Sequence, residues 1–217
     1  MSRFQLKVLA IITMLIDHTG AIFFPQVTLF RIIGRLAFPL FCFFIAEGAV
    51  YTSNLKKYLW RLFAFALLSE IPYDLAFKGQ LFDPQSQNVF FTLFLGLAAV
   101  SACRLYFGKR PVAVLLFACG CAFLAEWLRT DYGGFGVLLI LLFYCARQYK
   151  TRGAVTFALL NTGFSLITAP VQLYAAAAVI PIALYNGKKG KSGFRYFFYA
   201  FYPVHLLLLY LIHTIAF

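Results

Sequence analysis

The chain has 217 residues, of which 63% are hydrophobic and only 12% are charged. A water-soluble domain of this length needs many more charged residues on its surface, so the composition excludes that class. The formal net charge of +12 is typical of nucleic-acid-binding proteins as well, but the basic residues stand in short clusters beside apolar runs. Membrane topology and anionic lipid explain such clusters, and no nucleic-acid partner is expected.

The apolar runs predict an all-α fold, a polytopic helix bundle in a lipid bilayer. A spanning helix needs about 20 mostly apolar residues, and about nine runs approach that length. In chain order the runs are 6–24, 29–51, 58–77, 88–107, 112–128, 135–149, 154–167, 170–185 and 197–217. The later boundaries are soft, and about eight to ten spans fit the same pattern. No linker or internal repeat interrupts the runs, so residues 1–217 are predicted to form a single transmembrane domain.

The first run contains Asp17-His18-Thr19-Gly20 near its end and has no small-x-small cleavage pattern. It is therefore predicted to be a retained first helix and not a removed signal peptide. The five cysteines lie inside apolar runs without metal-binding or redox spacing. They are interpreted as small buried hydrophobic residues, and no metal cofactor is expected.

The basic residues predict the orientation of the chain. If the first helix starts in the cytoplasm, nearly all of the 19 Lys and Arg residues fall on the cytoplasmic side. The exceptions are Arg31, Arg35, Lys78 and Arg129. This bias in every second loop is the positive-inside pattern, and it predicts a cytoplasmic N-terminus and a C-terminus outside.

The most informative residues are the ionisable ones within the runs, because each charge left in the bilayer costs at least a few kcal/mol. With the predicted orientation, polar groups of five helices fall in the outer layer of the membrane, and His205 falls near its middle. The outer group comprises Asp17, His18, Arg31, Arg35, Glu70, Asp74, Asn88, Thr92, Glu126, Arg129 and Asp131. Together they predict a solvated cavity that opens away from the cytoplasm.

Residue spacing refines this prediction. Arg31 and Arg35 are four residues apart, as are Glu70 and Asp74, so each pair shares a helix face and the two pairs are expected to face each other. This quartet either holds helices together or contacts a substrate. Asp17 and His18 are adjacent and point about 100° apart on a helix. His18 is either a catalytic residue or a hydrogen-bonded core histidine.

Several sequence blocks are similar to those of the TraX family, which is named for the membrane protein that acetylates the N-terminus of conjugative F-type pilin. The resemblance runs from end to end of the chain. Its blocks are the run around Asp17-His18-Thr19-Gly20, residues 31–39 (RIIGRLAFP) with Glu47-Gly48, residues 69–74 (SEIPYD), residues 88–93 (NVFFTL), Asp131-Tyr132-Gly133 and residues 201–206 (FYPVHL).

The resemblance implies a transmembrane acyltransferase of the bacterial cytoplasmic membrane. It would move an acetyl group from cytoplasmic acetyl-coenzyme A, as co-substrate, to an amine or hydroxyl of an acceptor outside, such as a pilin or an envelope glycan. His18 is then expected to act as general base. Asp17 or Glu70 would orient it, and Arg35 would stabilise the developing oxyanion. An acetyl-histidine intermediate is an open variant.

The remaining expected site residues fall into two groups. The acceptor is expected to contact Arg31, Asp74, Asn88, Glu126 and His205. The coenzyme phosphates are expected to contact Lys56, Lys57, Arg61 and Arg104, although each of these fits an ordinary topology signal equally well.

Two other functions compete with acetyl transfer. Buried Asp, Glu, His and Arg residues also suit a proton-coupled transporter or a channel, but the paired, Gly/Pro-interrupted halves of many transporters are not found. A scaffold without catalysis leaves the cost of the intramembrane charges unexplained. Release of free coenzyme A from acetyl-coenzyme A separates an enzyme from both alternatives.

Overall fold

The computed structural model describes residues 1–148, 150–191 and 193–216. Two predicted spans end at Tyr149 and Phe217, which lie outside the described residues. The described part of the chain is helical and contains no strand; its one β-type contact is an isolated parallel bridge between Gln87 and Thr130. The predicted all-α class is confirmed.

The α-helices, in chain order, are α1 (Arg3–Phe23), α2 (Thr28–Gly34), α3 (Ala37–Tyr51), α4 (Leu55–Lys78), α5 (Val89–Tyr106), α6 (Pro111–Trp127), α7 (Gly133–Cys145), α8 (Lys150–Ile167), α9 (Val179–Ala183) and α10 (Arg195–Ala216). Short 3₁₀ helices cover Ala146–Gln148 and Pro170–Ala178. Within the described residues, each predicted span overlaps helical backbone.

Four segments of the described chain are long and apolar enough to cross a membrane: Arg3–Phe23, Thr28–Tyr51, Val89–Tyr106 and Tyr196–Ala216. Four further helical segments are apolar but have only 10–17 residues. Helix α4 has 24 residues, but Arg61, Glu70 and Asp74 interrupt its apolar stretch. Large side chains on α6 face away from protein, with Val112 70% and Phe123 72% exposed, as expected where the solvent is lipid.

The second predicted span is broken into α2 and α3 at Arg35 and Leu36. Pro39 explains the break, because it has no N–H for the carbonyl of Arg35 and its ring would clash with that carbonyl in a continuous helix. Pro39 is tolerated in the first turn of α3, where backbone N–H groups have no partner within the helix. The predicted span over 29–51 is thus present as one membrane-length segment, Thr28–Tyr51, with a two-residue turn within it.

The eighth predicted span is also irregular, since most of it is the nine-residue 3₁₀ helix Pro170–Ala178 followed by the five-residue α9. A 3₁₀ helix rises about 2 Å per residue, so this segment is more extended than an α-helix of the same length. Within this segment the side chain of Gln172 is 4% exposed, and it forms a hydrogen bond with Asn161 on α8.

The chain divides into two compact units. The first comprises Met1–Phe41, Pro72–Gly79 and Tyr149–Phe217, and the second comprises Cys42–Ile71 and Gln80–Gln148. In the first unit α1 packs against α2 and α10, and α8 packs against the 3₁₀ helix. In the second unit α5, α6 and α7 pack together around small residues such as Ala99, Ala118 and Ala125. Small residues let membrane helices approach closely.

Two glycines set the spacing of α1 and α2. A Cβ atom at Gly20 would overlap the ring of Phe30, and a Cβ atom at Gly34 would overlap the side chain of Asp17. Gly34 itself is buried. Any larger residue at either position must therefore separate the two helices.

We predict that Gly34→Ala destabilises the protein by about 1–3 kcal/mol, the usual cost of overpacking a tight site. The measurement is the apparent Tm in detergent, which should fall. Gly120→Ala is the matched control, because Gly120 is exposed on α6 and has no neighbour within 4 Å of an added Cβ. That variant should keep or raise the Tm, since Ala favours helix over Gly. Equal Tm values for the two variants would contradict the close approach of α1 and α2.

Candidate functional site

Asp17 on α1 forms ion pairs with two arginines from the α2 end. Arg31 Nη1 donates to Asp17 Oδ2 at 2.7 Å, and Arg35 Nη2 donates to both carboxylate oxygens at 3.0 Å. The shared face predicted for Arg31 and Arg35 is present, but Asp17 was not foreseen as their partner. The carboxylate of Asp17 is thus shared by two guanidinium groups. The side chain of Arg31 is 34% exposed, against 12% for Arg35.

Two buried amides hold Arg35 from its other side. Arg35 Nη1 donates to Gln172 Oε1 at 3.4 Å, and Gln172 Nε2 donates to Asn161 Oδ1 at 3.3 Å. Asn161 Nδ2 in turn donates to the backbone carbonyl of Gln172 at 2.9 Å. Neither amide is among the site residues predicted from the ionisable groups of the sequence. Their signal was a polar side chain inside an apolar run, which must find a hydrogen-bond partner when buried.

His18, the next residue on α1, points to another neighbour, the helix α10. His18 Nδ1 lies 2.7 Å from His205 Nε2, and the two rings are parallel within 4°. The predicted divergence of Asp17 and His18 is thus present, with Asp17 facing α2 and His18 facing α10. His205 was assigned to the acceptor, and Asp17 or Glu70 to the orientation of His18. The hydrogen-bond partner of His18 Nδ1 is His205 Nε2.

The proton positions in this pair follow from one backbone carbonyl. His205 Nδ1 lies 2.7 Å from the carbonyl oxygen of Phe201. A carbonyl can only accept, so His205 Nδ1 carries a proton, and in the neutral ring Nε2 is then an acceptor. His18 Nδ1 must therefore donate to His205, which leaves the lone pair of neutral His18 on Nε2. A histidine with a fixed tautomer and a basic Nε2 is suited to proton abstraction or nucleophilic attack.

Aromatic rings surround the histidine pair. The ring of Phe77 meets His18 edge to face at a centroid distance of 5.4 Å, and Tyr202 does so at 5.9 Å. Phe201 stacks on His205 at 4.9 Å. These rings restrict the orientations of both imidazoles and provide the apolar surroundings in which hydrogen bonds are strong.

Glu70 and Asn88 belong to the second unit and connect α4 with α5. Asn88 Nδ2 donates to a carboxylate oxygen of Glu70 and, at 2.8 Å, to the carbonyl of Ala66. Asn88 Oδ1 accepts from Phe90 N at 3.0 Å and so caps α5. Asn88 is fully buried. It therefore joins two helices, and its contact with an acceptor stays a prediction. Asp74, further along α4, is also fully buried.

Glu126 and Arg104, also in the second unit, stabilise helix ends. Glu126 Oε2 accepts from the backbone N–H of Gly134 at 3.0 Å, in the first turn of α7. Arg104 Nη1 donates to the carbonyls of Ala49 and Thr52, where α3 ends. Such contacts satisfy backbone groups that a helix leaves unpaired. The roles predicted from the sequence, an acceptor contact for Glu126 and a coenzyme contact for Arg104, stay predictions.

The other residues assigned to the coenzyme lie at the start of α4. Lys56 and Lys57 are exposed, and the backbone N–H of Lys57 is capped by Asn54 Oδ1 at 2.8 Å. Arg61 lies over the ring of Tyr58 at 5.4 Å. Among the described residues, no group of three or more His, Cys, Asp or Glu side chains is arranged to hold a metal ion.

The fold and the site define an all-helical integral membrane protein with a partly buried histidine pair beside a carboxylate held by two arginines. The family model described as "TraX protein" matches residues 2–213. The chain therefore belongs to the TraX family, and the resemblance found in the sequence is confirmed.

Two relatives were compared with the chain. It is 36% identical over 218 residues to the probable fimbrial assembly protein FimC, serogroup H1, of Dichelobacter nodosus, covering 87% of this chain and 86% of the relative. It is 29% identical over 153 residues to an uncharacterized protein of Rickettsia prowazekii (strain Madrid E), covering 67% of this chain and 56% of that protein. No solved structure matches the chain.

We predict that neutral His18 is protonated on Nδ1 and not on Nε2. The measurement is a long-range ¹H–¹⁵N correlation spectrum of the ¹⁵N-histidine-labelled protein in detergent at mildly alkaline pH. His213→Gln simplifies the spectrum to the two histidines of the pair. His205→Phe should remove the acceptor and redistribute the His18 proton. A wild-type spectrum with His18 protonated on Nε2 would show that the proton assignment is wrong.

Proposed function

We propose that this TraX-family protein is an acetyltransferase of the bacterial cytoplasmic membrane. It transfers an acetyl group from acetyl-coenzyme A to an amine or hydroxyl acceptor presented on the outer side. The observation that carries the proposal is the hydrogen bond of 2.7 Å between His18 and His205. A neutral imidazole oriented by a second group is the arrangement that general bases use.

The proposed topology has nine membrane crossings, a cytoplasmic N-terminus and a C-terminus outside. It is supported by the distribution of Lys and Arg in every second loop. Acetyl-coenzyme A is cytoplasmic and too charged to cross a bilayer. In the proposed reaction the donor and the acceptor are therefore on opposite sides of the membrane. The helix bundle would then give the thioester access to an acceptor that never enters the cytoplasm.

In the proposed mechanism, His18 Nε2 accepts the proton of the acceptor N–H or O–H as that atom attacks the thioester carbonyl. The tetrahedral species collapses with cleavage of the C–S bond, and His18 returns the proton to the departing thiolate. The products are the acetylated acceptor and free coenzyme A, with no net proton gained or lost. In the covalent variant, His18 Nε2 attacks the thioester carbonyl and the C–S bond breaks, which releases the coenzyme A thiolate. The acceptor nitrogen or oxygen then attacks the acetyl group, the bond between His18 Nε2 and the acetyl carbon breaks, and the acceptor proton neutralises the thiolate.

Arg31 and Arg35, which both pair with Asp17, place two guanidinium groups beside the same region of α1. Arg35 is held by Asp17 on one side and by Gln172 on the other, so its guanidinium is preorganised. Preorganised donors stabilise a developing oxyanion without reorganisation during the reaction. The more exposed Arg31 is better suited to contact the acceptor. Asp17 positions both arginines, and His205 positions His18.

The acceptor class is proposed from the relatives. One relative bears the name of a fimbrial assembly protein, and the TraX family is named for a pilin acetylase. Both favour a pilin-like peptide amine over a glycan hydroxyl as acceptor. A site on a shared fold can be retargeted, so the experiment below includes both classes.

The test measures free thiol released from acetyl-coenzyme A by the purified protein, with and without a peptide bearing a free N-terminal amine or an amino sugar. We expect acceptor-dependent release by the wild type. His18→Ala should lose about 10²–10⁴-fold of this rate, the contribution of a positioned base.

The matched control is His213→Ala, which changes a histidine on α10 that lies against Phe23 at 5.8 Å. It should keep the wild-type rate. Equal rates in His18→Ala and wild type would reject His18 as the base. Absence of thiol release and of coenzyme A binding in the wild type would reject the acetyltransferase and leave the transporter function.

A further inference from the structure

The N-terminal end of α1 lies beside the segment 184–191. Arg3 N–H donates to the carbonyl of Lys188 at 2.9 Å, and Phe4 N–H donates to the carbonyl of Lys189 at 3.2 Å. Asn186 N–H donates to the carbonyl of Met1 at 3.0 Å. Two parts of the sequence that are far apart are thus joined by backbone hydrogen bonds. They bring together five basic residues, here called the basic cluster: Arg3, Lys7, Lys188, Lys189 and Lys191.

A glycine and a helix cap hold this arrangement in place. Gly190 has φ +71°, and a Cβ atom there would lie 2.6 Å from Ser2 Oγ and 3.0 Å from Phe4 Cβ. Ser2 Oγ accepts from Gln5 N, and Gln5 Oε1 accepts from Ser2 N, forming a capping box. The first backbone N–H groups of α1 are therefore occupied. Any anion held here must be bound by side chains.

The basic cluster has no carboxylate on the segments that form it. No Asp or Glu occurs after Asp131, and the first acidic residue of the chain is Asp17. Asp17 lies ten residues beyond Lys7 along α1, about 15 Å, and is paired with Arg31 and Arg35. Cations near a helix N-terminus also oppose the helix dipole. A bound anion would offset this unfavourable interaction with the helix dipole.

Aromatic rings border the basic cluster. Phe4 contacts Phe194 at a centroid distance of 5.6 Å and Phe198 at 6.1 Å. Lys7 Nζ lies 5.0 Å from the centroid of Phe198, and Lys191 Nζ lies 6.0 Å from that of Phe4. Phe194 is 48% exposed. An exposed ring beside ammonium groups can stack a nucleobase while the cations bind its phosphates.

The helices that start at the basic cluster also carry the histidine pair. His18 lies eleven residues beyond Lys7 on α1, about 16 Å along the helix axis. His205 lies seven residues beyond Phe198 on α10, about 10 Å. A ligand with phosphates at one end and a reactive group on a long flexible arm would reach from the basic cluster toward His18 along these helices.

We propose that the basic cluster binds the phosphate groups of the acyl donor, coenzyme A, with its adenine against Phe194. The inference rests on the acetyltransferase proposed above. It differs from the assignment of the phosphates to Lys56, Lys57, Arg61 and Arg104, of which Arg104 already donates to helix carbonyls. The chemistry recognised is a phosphate ester, which anionic lipid headgroups share, so the experiment separates the two sources.

The experiment measures binding of unacylated coenzyme A to the full chain in nanodiscs of phosphatidylcholine, without an acceptor and without turnover. Lys188→Ala/Lys189→Ala is compared with Lys56→Ala/Lys57→Ala. Each variant removes two consecutive exposed lysines, so the changes in charge are matched. We expect the first variant to lose affinity by about tenfold or more and the second to keep the wild-type Kd. Dephospho-coenzyme A should bind the wild type more weakly.

Phe194 provides a second test that does not change charge. Phe194→Ala should weaken coenzyme A binding by about tenfold through loss of stacking, whereas Phe194→Tyr should retain the wild-type Kd. The apparent Tm of each variant is compared with that of the wild type, and a variant with an unchanged Tm that binds less coenzyme A supports the proposal.

Three outcomes would overturn it. Loss of affinity only in Lys56→Ala/Lys57→Ala would place the phosphates at the start of α4. An unchanged Kd in Lys188→Ala/Lys189→Ala, with weaker binding of that variant to phosphatidylglycerol vesicles, would assign the basic cluster to lipid headgroups. If the wild type binds no coenzyme A, the proposed function fails as well, whereas an unchanged Kd in the variant rejects the location alone.

Discussion

The pairing of Asp17 with two arginines is the interaction on which the first unit depends. A carboxylate within a membrane-spanning helix is costly unless opposite charges and hydrogen bonds accompany it. Arg31 and Arg35 meet this requirement, and they reach Asp17 only because Gly34 allows α2 to lie against α1. The break after α2 and the amides Gln172 and Asn161 then hold Arg35 in place. Packing, charge and backbone geometry are therefore coupled at one position of α1.

Some polar residues inside the helices support the helix structure, and others form the candidate site. Their positions in the sequence do not distinguish the two groups. Asn88, Glu126 and Arg104 satisfy backbone groups at helix ends or join neighbouring helices. His18 and His205 bond each other, and the base that results is not required to hold a helix end. Counting the polar residues within the helices therefore does not show how many of them belong to the candidate site. The hydrogen-bond partners of each group are the better guide.

The sequence predicted the membrane class, the helical segments and most of the residues of the site, because apolar runs and isolated polar groups are visible one residue at a time. It did not predict that His18 meets His205, since that contact joins helices 187 positions apart. Nor did it predict the ion pairs of Asp17 with Arg31 and Arg35. The spacing of the two arginines had indicated Glu70 and Asp74 as their partners. The 3₁₀ helix at Pro170–Ala178 was not predicted either, because the apolar run alone does not distinguish a 3₁₀ helix from an α-helix. Its extended backbone places Gln172 against Asn161, and that contact is tertiary.

The hydrogen-bond chain from His18 through His205 ends at the carbonyl of Phe201, and this ending has a consequence for a membrane. A carbonyl oxygen accepts a hydrogen bond but has no proton to pass on. A proton taken up by His18 can be shared with His205 but has no onward route through this chain. It must leave through the face by which it entered. In the proposed reaction, the pair would therefore transfer a proton inside the bilayer without forming a continuous hydrogen-bonded route for protons across the membrane.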